Sequence, residues 1–217
     1  MLKLFYAPTT ATTKVMLLLE EIGCEYQKIP VNVRKGVQTY STYQKIVLNG
    51  KVPALIDDGK VYMESGNILL HLAEKHNVLY NEKHRKDILT WLFWGHGECS
   101  PAFFNFYSLS MKFSENKEVM DFAMERIKKV SQSLENQLIA VDYICGEYSI
   151  ADLSVFTWYK IYNNVEMFGF LKDYKNIQAW IHRIESKAKV QEVYKANATF
   201  NWDIFLTEEE LAKEIQI

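Results

Sequence analysis

The spacing of apolar residues changes character once along this chain, and that change limits the fold. From Leu2 to His76 short strand-like runs alternate with two helical segments; from Arg85 onward nearly every segment has helical period. "LKLFYA" (Leu2–Ala7) is a short, largely apolar run suited to the inside of a sheet. "KVMLLLEEIG" follows as a helix, with Thr12 or a neighbour as N-cap and Gly23 as its stop. Ile29, Val31 and Val33 alternate as in a strand, and "VPALID" pairs with "KVYM" across the turn Asp57-Asp58-Gly59. "SGNILLHLAEKH" is a second helix, with Ile68, Leu69, Leu72 and Ala73 on one face. The helical remainder starts with "RKDILTWLFWGHGECSPAFFNFY", broken around Gly95–Gly97 and Pro101. A long amphipathic segment, "ENKEVMDFAMERIKKVSQSLENQLIAV", and the apolar "SIADLSVFTWYKIY" come next. "IQAWIHRIESK" puts Ile177, Trp180, Ile181 and Ile184 on one stripe, and "TEEELAKEI" opens with the capping-box spacing Thr207/Glu210. The pattern predicts an α/β domain over residues 1–78 followed by an all-α domain over residues 84–217.

Composition narrows the function classes. The 217 residues suffice for two compact domains, with 48% hydrophobic and 24% charged residues. Nine glycines and four prolines are few for a turn-rich β-sandwich. A net charge of −2 provides no basic footprint for nucleic acid or anionic lipid. Cys24, Cys99 and Cys145 are widely spaced, odd in number and form no CxxC, which argues against zinc and against a dithiol redox site of the chain's own. No apolar run reaches the roughly 20 residues of a membrane span, and "MLKLFYAPTT" lacks the apolar region of a signal peptide, so a cytoplasmic protein is expected.

"KVPALIDDGKVYMESG" (Lys51–Gly66) raises a local problem. Proline donates no backbone bond and is unusual inside a strand pair, and a Glu-Ser pair stands just past the second strand. Taken with the opening strand and its hydroxyl cluster, with "ESGNILLHL" and with the late "GEYSIADLSVF", this stretch resembles the glutathione transferase superfamily over nearly the whole chain. "FYAPTTATTKVMLLLEE" and "VRKGVQTYSTYQ" are most similar to the bacterial nu-class transferases, which reduce disulfides with bound glutathione and no protein cysteine. The resemblance implies a thioredoxin-like N-terminal domain, an all-helical C-terminal domain, a homodimer, and glutathione as co-substrate with no metal.

On that resemblance the proline problem has a physical answer. Val52–Pro53 can take the cis form, because an X–Pro bond favours trans by only about 0.5–1 kcal/mol. The Val52 N–H and C=O then face outward and can pair with the cysteinyl unit of glutathione as an added strand. Ser65 and the first amides of its helix offer donors to the γ-glutamyl carboxylate, and Glu64 can accept from the neighbouring α-amino group. Gln38 matches a family glutamine that contacts the ligand, and Lys51 is placed to reach the glycyl carboxylate. Thr9 stands where the nu-class motif has its threonine and is the expected partner of the thiol, with Tyr6, Thr10 and Thr12 as rivals. A free alkyl thiol has a pKa of about 8.5. A hydrogen bond to the thiolate contributes about 1.5–3 kcal/mol and a helix N-terminus about 0.3–1 kcal/mol, which together lower it by about one to three units. Nu-class sequences carry an asparagine two positions after that threonine, where this chain has Ala11, so one donor to the sulfur is missing.

Ser149 and Asp152 have S-x-x-D capping spacing, and Asp152 is read as a structural carboxylate. Trp91, Trp94, His96, Cys99, Phe103, Phe104 and Tyr107 form the pool for an acceptor pocket, and the aromatic tail "NWDIFL" is a candidate cover. The expected function is glutathione thiolate chemistry, either conjugation to an electrophile or thiol–disulfide exchange. The alternative is a glutathione-binding module with a regulatory role and little turnover. A thioredoxin-like oxidoreductase using its own cysteines is opposed by their positions.

Overall fold

The computed structural model describes residues 2–215. In chain order it contains β1 (Leu2–Tyr6), α1 (Thr10–Ile22), β2 (Tyr26–Pro30), a 3-10 turn (Val37–Thr39), α2 (Ser41–Gln44), β3 (Ala54–Asp57), β4 (Lys60–Met63) and α3 (Ser65–His76). Then come α4 (Arg85–Trp94), a π-helical segment (Gly95–Cys99), α5 (Ser100–Phe113), α6 (Lys117–Gln137), α7 (Ile150–Tyr162), a 3-10 stretch (Glu166–Asp173), α8 (Lys175–Glu185), α9 (Ala188–Ala198) and α10 (Glu208–Glu214). Packing divides the chain into two units, Met1–Val78 with Ala188–Ile217, and Leu79–Lys187. The chain-order division at 78 and 84 remains a proposal for the domain extents; by packing, α9 and α10 group with the first unit.

The first unit is built on a four-stranded sheet of order β2-β1-β3-β4, with β2 parallel to β1 and the β3–β4 hairpin antiparallel. Helix α1 packs against both α3 and α9. Another cluster joins Phe5, Val37, Tyr43, Val47, Ala54 and Leu211. Leu4 and Phe5 point to opposite faces of the sheet, yet both are fully buried. That is why β1 reads as a continuous apolar run rather than an alternating one. The β-α-β, β-β-α order on this sheet is the expected thioredoxin-like arrangement. Asp57, at the end of β3, is buried and accepts from His71 Nε2 and Lys75 Nζ, each at 2.7 Å. Burial opposes its ionisation, but the bonds from Lys75 and His71 prevail and hold the carboxyl below the usual range.

The second unit is helical throughout its regular elements. Phe103 is fully buried and packs against the rings of Trp158, Tyr159, Tyr162 and Phe168. The Ser149/Asp152 capping box forms as expected. Asp152 is fully buried and accepts from Ile144 N at 2.9 Å, Ser149 N at 3.0 Å and Trp180 Nε1 at 2.8 Å, tying α7 to α8. Burial nevertheless pushes its pKa up to about 6, against the donors around it. The break expected around Gly95 and Pro101 is instead a π-helical turn that keeps α4 and α5 in one continuous helical run. Such a turn re-spaces the backbone bonds, and Pro101 falls in the first turn of α5, where its missing N–H is tolerated. Gly95 is required there, since a Cβ would lie 2.3 Å from Ser154 Oγ. No helix among the described residues is long and apolar enough to cross a membrane.

Candidate functional site

The strand register places three chain segments at one end of the sheet. Phe5 pairs with Ala54, and Ala54 pairs with Met63. One residue further in the same direction lie Tyr6 on β1, Pro53 ahead of β3, and Glu64 after β4. The turn to Thr9, the Val52–Pro53 peptide and the entrance to α3 therefore leave the sheet together.

At the first of these, Thr9 is the N-cap of α1, with φ −99° and ψ 161°. Its Oγ1 accepts from Thr12 N at 3.2 Å and lies 3.1 Å from Thr12 Oγ1. This corrects the expectation that Thr12 or a neighbour caps the helix: α1 starts at Thr10 and its cap is Thr9, three positions before Thr12. Thr13 Oγ1 instead donates to Thr9 O at 2.8 Å and accepts from Asn197 Nδ2 on α9 at 3.0 Å. A hydroxyl has one proton and two acceptor positions. Capping uses an acceptor position of Thr9 and leaves its proton able to serve a sulfur, with Thr12 O–H able to fill the second acceptor position. No acidic residue occupies the first turn of α1, so the positive helix end is not neutralised from within. Thr10 and Ala11 are half-buried in that first turn. Tyr6 packs edge-on against Phe200, with ring centroids 5.4 Å apart, and burial raises its pKa.

At the second segment, the Val52–Pro53 peptide is cis. Val52 lies outside β3, and among the described residues its backbone has no backbone partner. The Lys51 side chain is exposed, while its carbonyl accepts from Tyr43 Oη, a fully buried residue, at 2.9 Å. Gly50 has φ +56°, and a Cβ there would stand 2.8 Å from the Gln38 carbonyl oxygen. Only glycine fits such a conformation and approach without strain. Gln38, on the 3-10 turn, donates from Nε2 to Val33 O at 3.3 Å, and its buried Oε1 has no partner among the described residues.

At the third segment, Glu64 has φ +66° and ψ 122°, a conformation that costs a non-glycine residue about 1–3 kcal/mol. Its carboxylate accepts from Asn49 Nδ2 at 2.8 Å. Ser65 is buried at the first position of α3, and the Glu64 side chain, at the N-cap, makes no capping hydrogen bond. A helix start beside a fixed carboxylate offers donors to one charge and an acceptor to its opposite. Asn49 and Gly50 were not among the residues expected at the site; the turn-forming Asn-Gly pair directly ahead of Lys51 is the signal that marks them.

Of the residues pooled for an acceptor pocket, Cys99 and Phe103 are fully buried and belong to the core of the second unit. Phe104 and Tyr107 are exposed, and Trp91, Trp94 and His96 are half-buried. The tail Trp202–Leu206 is fastened within the first unit, where Asn32 Nδ2 donates to the Trp202 and Ile204 carbonyls. No group of three or more His, Cys, Asp or Glu able to hold a metal occurs among the described residues.

Comparison with known proteins identifies the architecture. Residues 1–74 match the family model "Glutathione S-transferase, N-terminal domain", and residues 101–197 match "Glutathione S-transferase, C-terminal domain". The disulfide-bond oxidoreductase YfcG of Escherichia coli is 30% identical over 201 residues, spanning 86% of this chain and 91% of that protein. A glutathione transferase from Pseudomonas putida, solved with one glutathione disulfide bound per subunit, superposes with a TM-score of 0.83 at 29% identity, covering 89% of this chain and 90% of that one. One from Burkholderia graminis, with two glutathione molecules per subunit, gives a TM-score of 0.84 at 28% identity, covering 92% of this chain and 89% of that one. With both halves matched in order and the thioredoxin-like sheet in place, this chain belongs to the glutathione S-transferase family.

Proposed function

We propose that the protein binds glutathione at the end of the sheet marked by Thr9, Val52–Pro53 and Glu64–Ser65, and uses its thiolate to reduce disulfides. The observation that carries this reading is the shared register of those segments. The cysteinyl backbone pairs with Val52, the γ-glutamyl carboxylate meets the α3 amides and Ser65, and Glu64 takes the α-amino group. Gln38 and Lys51 serve the glycyl side, and Thr9 donates to the sulfur. The thiolate attacks a disulfide sulfur, forming a mixed disulfide and expelling one thiolate, which takes up a proton. A second glutathione thiolate then attacks the mixed disulfide, releasing glutathione disulfide and the second thiol. Two ligand sulfurs meeting at one site accord with the relatives bound to glutathione disulfide or to two glutathiones.

The chain's own cysteines are poor rivals for this chemistry. Burial raises the pKa of Cys24, helped by the charges of Asp57 and Glu20, and burial pushes Cys145 up to about 12. Cys99 is fully buried. Conjugation to an electrophilic carbon would use the same thiolate. Ala11, which removes a donor to the sulfur, favours a third reading, a glutathione-binding module with little turnover. Exposed Phe93, Phe104, Met111 and Phe122 on α4–α6 support a homodimer, and three cysteines that form no disulfide among the described residues support a reducing compartment such as the cytoplasm.

Paired assays with glutathione test the reading, one with a small hydroxyethyl disulfide and one with a chloronitroaromatic acceptor. Turnover of the disulfide is expected. Turnover of the aromatic alone contradicts reduction in favour of conjugation, and binding without turnover of either contradicts it in favour of the module.

A further inference from the structure

We propose that the C-terminal segment Phe200–Glu214 is a strap that sets the glycyl-side wall of the glutathione site, with Asn32 as the positioning residue joining strap to wall. The proposal rests on the glutathione reading above and adds a part of the chain that the reading does not use.

Asn32 is fully buried, and every hydrogen-bonding capacity of its side chain is filled. Its Oδ1 accepts from Arg34 N at 3.1 Å and Lys35 N at 3.2 Å, closing the turn that leads to Gln38. Its Nδ2 donates to Trp202 O and Ile204 O on the strap. Aspartate keeps the two acceptor roles and loses both donors, so it cuts the strap from the turn while leaving the turn closed. On the far side of Gln38 the strap grips again: Glu208 Oε1 accepts from Ser41 Oγ at 2.7 Å, Thr42 N at 3.0 Å and Thr42 Oγ1 at 3.1 Å. Beside the first anchor the Arg34 guanidinium lies 4.0 Å from the Trp202 ring centroid, and beyond the second Leu211 is fully buried in the cluster that contains Val37 and Tyr43.

The 3-10 turn carrying Gln38 is thus held at both ends by the segment Phe200–Glu214. Its position matters because the Gln38 carbonyl packs against Gly50, directly ahead of Lys51 and Val52, and because Gln38 Oε1 is an open buried acceptor. A strap that lets this turn drift withdraws Gln38 and Lys51 first, whereas Thr9, Glu64 and Ser65 lie on other segments, Glu64 being reached through its bond from Asn49. Its failure is felt most at the glycyl end of the tripeptide.

Calorimetric titration of the full chain with glutathione and with γ-glutamylcysteine, which lacks the glycine, separates the outcomes. Asn32→Asp is expected to weaken glutathione about fivefold or more, and to leave both γ-glutamylcysteine affinity and the thiol pKa of bound glutathione unchanged. Glu208→Ala, a surface change, is expected to act the same way and carries the test if Asn32→Asp does not fold; Glu208→Gln, which keeps the acceptor, is expected to restore affinity. An equal loss for both ligands, or no loss for either, overturns the proposal. Wild-type protein that binds neither ligand overturns the glutathione reading itself, and the strap's role with it.

Discussion

Thr9→Ala removes two interactions that use opposite capacities of one hydroxyl, and each has its own readout. The acceptor side caps α1 through the 3.2 Å bond from Thr12 N, and losing an N-cap threonine costs about 1 kcal/mol. For a chain of this length that lowers the melting temperature by about 2–4 °C. The donor side serves the glutathione sulfur, where a hydrogen bond to a charged group is worth about 1.5–3 kcal/mol. At about 1.4 kcal/mol per unit, its loss raises the thiol pKa of bound glutathione by about one to two units. Thr9→Ser keeps both capacities and should match the wild type in both measurements. Ultraviolet titration of the bound thiolate, run beside a thermal melt of the same variants, gives the two numbers. A lowered melting temperature in Thr9→Ala with an unmoved thiol pKa would refute the reasoning: Thr9 would then be only a cap, and the sulfur's donor would be Thr10 or Tyr6.

Three further outcomes are expected. Gly50→Ala should lower the melting temperature and weaken glutathione binding, since its Cβ would stand 2.8 Å from the Gln38 carbonyl at φ +56°; an unchanged melt would contradict the close approach. Asp57 has a folded pKa below its unfolded value of about 3.9. Its ionised form therefore stabilises the fold above that value, and the contribution is lost as pH falls through the folded pKa. In acid melts the wild type should lose this increment and Asp57→Asn should not, and parallel curves would show that Lys75 and His71 add nothing. Replacing Cys24, Cys99 and Cys145 together by serine should leave glutathione-dependent disulfide turnover in place, and its abolition would assign the chemistry to a protein thiol.

Much of the architecture is written in local pattern. The helix stripe Ile177, Trp180, Ile181 and Ile184 is buried as its spacing requires, and both capping boxes form because the residues that make them are three apart. Other features depend on what a segment meets in space. The π-helical turn at Gly95–Cys99 has no periodicity of its own, and its glycine is explained only by the approach of Ser154. The apolar residues of α10 predict a buried face, but not that Leu211 joins the cluster around Phe5 and Tyr43 rather than the helical unit. Asn32 reads as an ordinary loop residue, because a polar side chain in a loop gives no sign of its burial or partner. The proposed site residues Val52, Pro53, Glu64 and Ser65 stand out only as a group, because a proline beside a strand pair and a Glu-Ser helix entrance are each ordinary alone and unusual together.

The most direct test of the account is a co-crystal structure of the wild-type protein with reduced glutathione. The account predicts the cysteinyl backbone paired with the N–H and C=O of Val52, the γ-glutamyl carboxylate at the start of α3, and the sulfur within hydrogen-bond distance of Thr9 Oγ1. A tripeptide seated elsewhere on the chain, or a sulfur turned away from the start of α1, would contradict it.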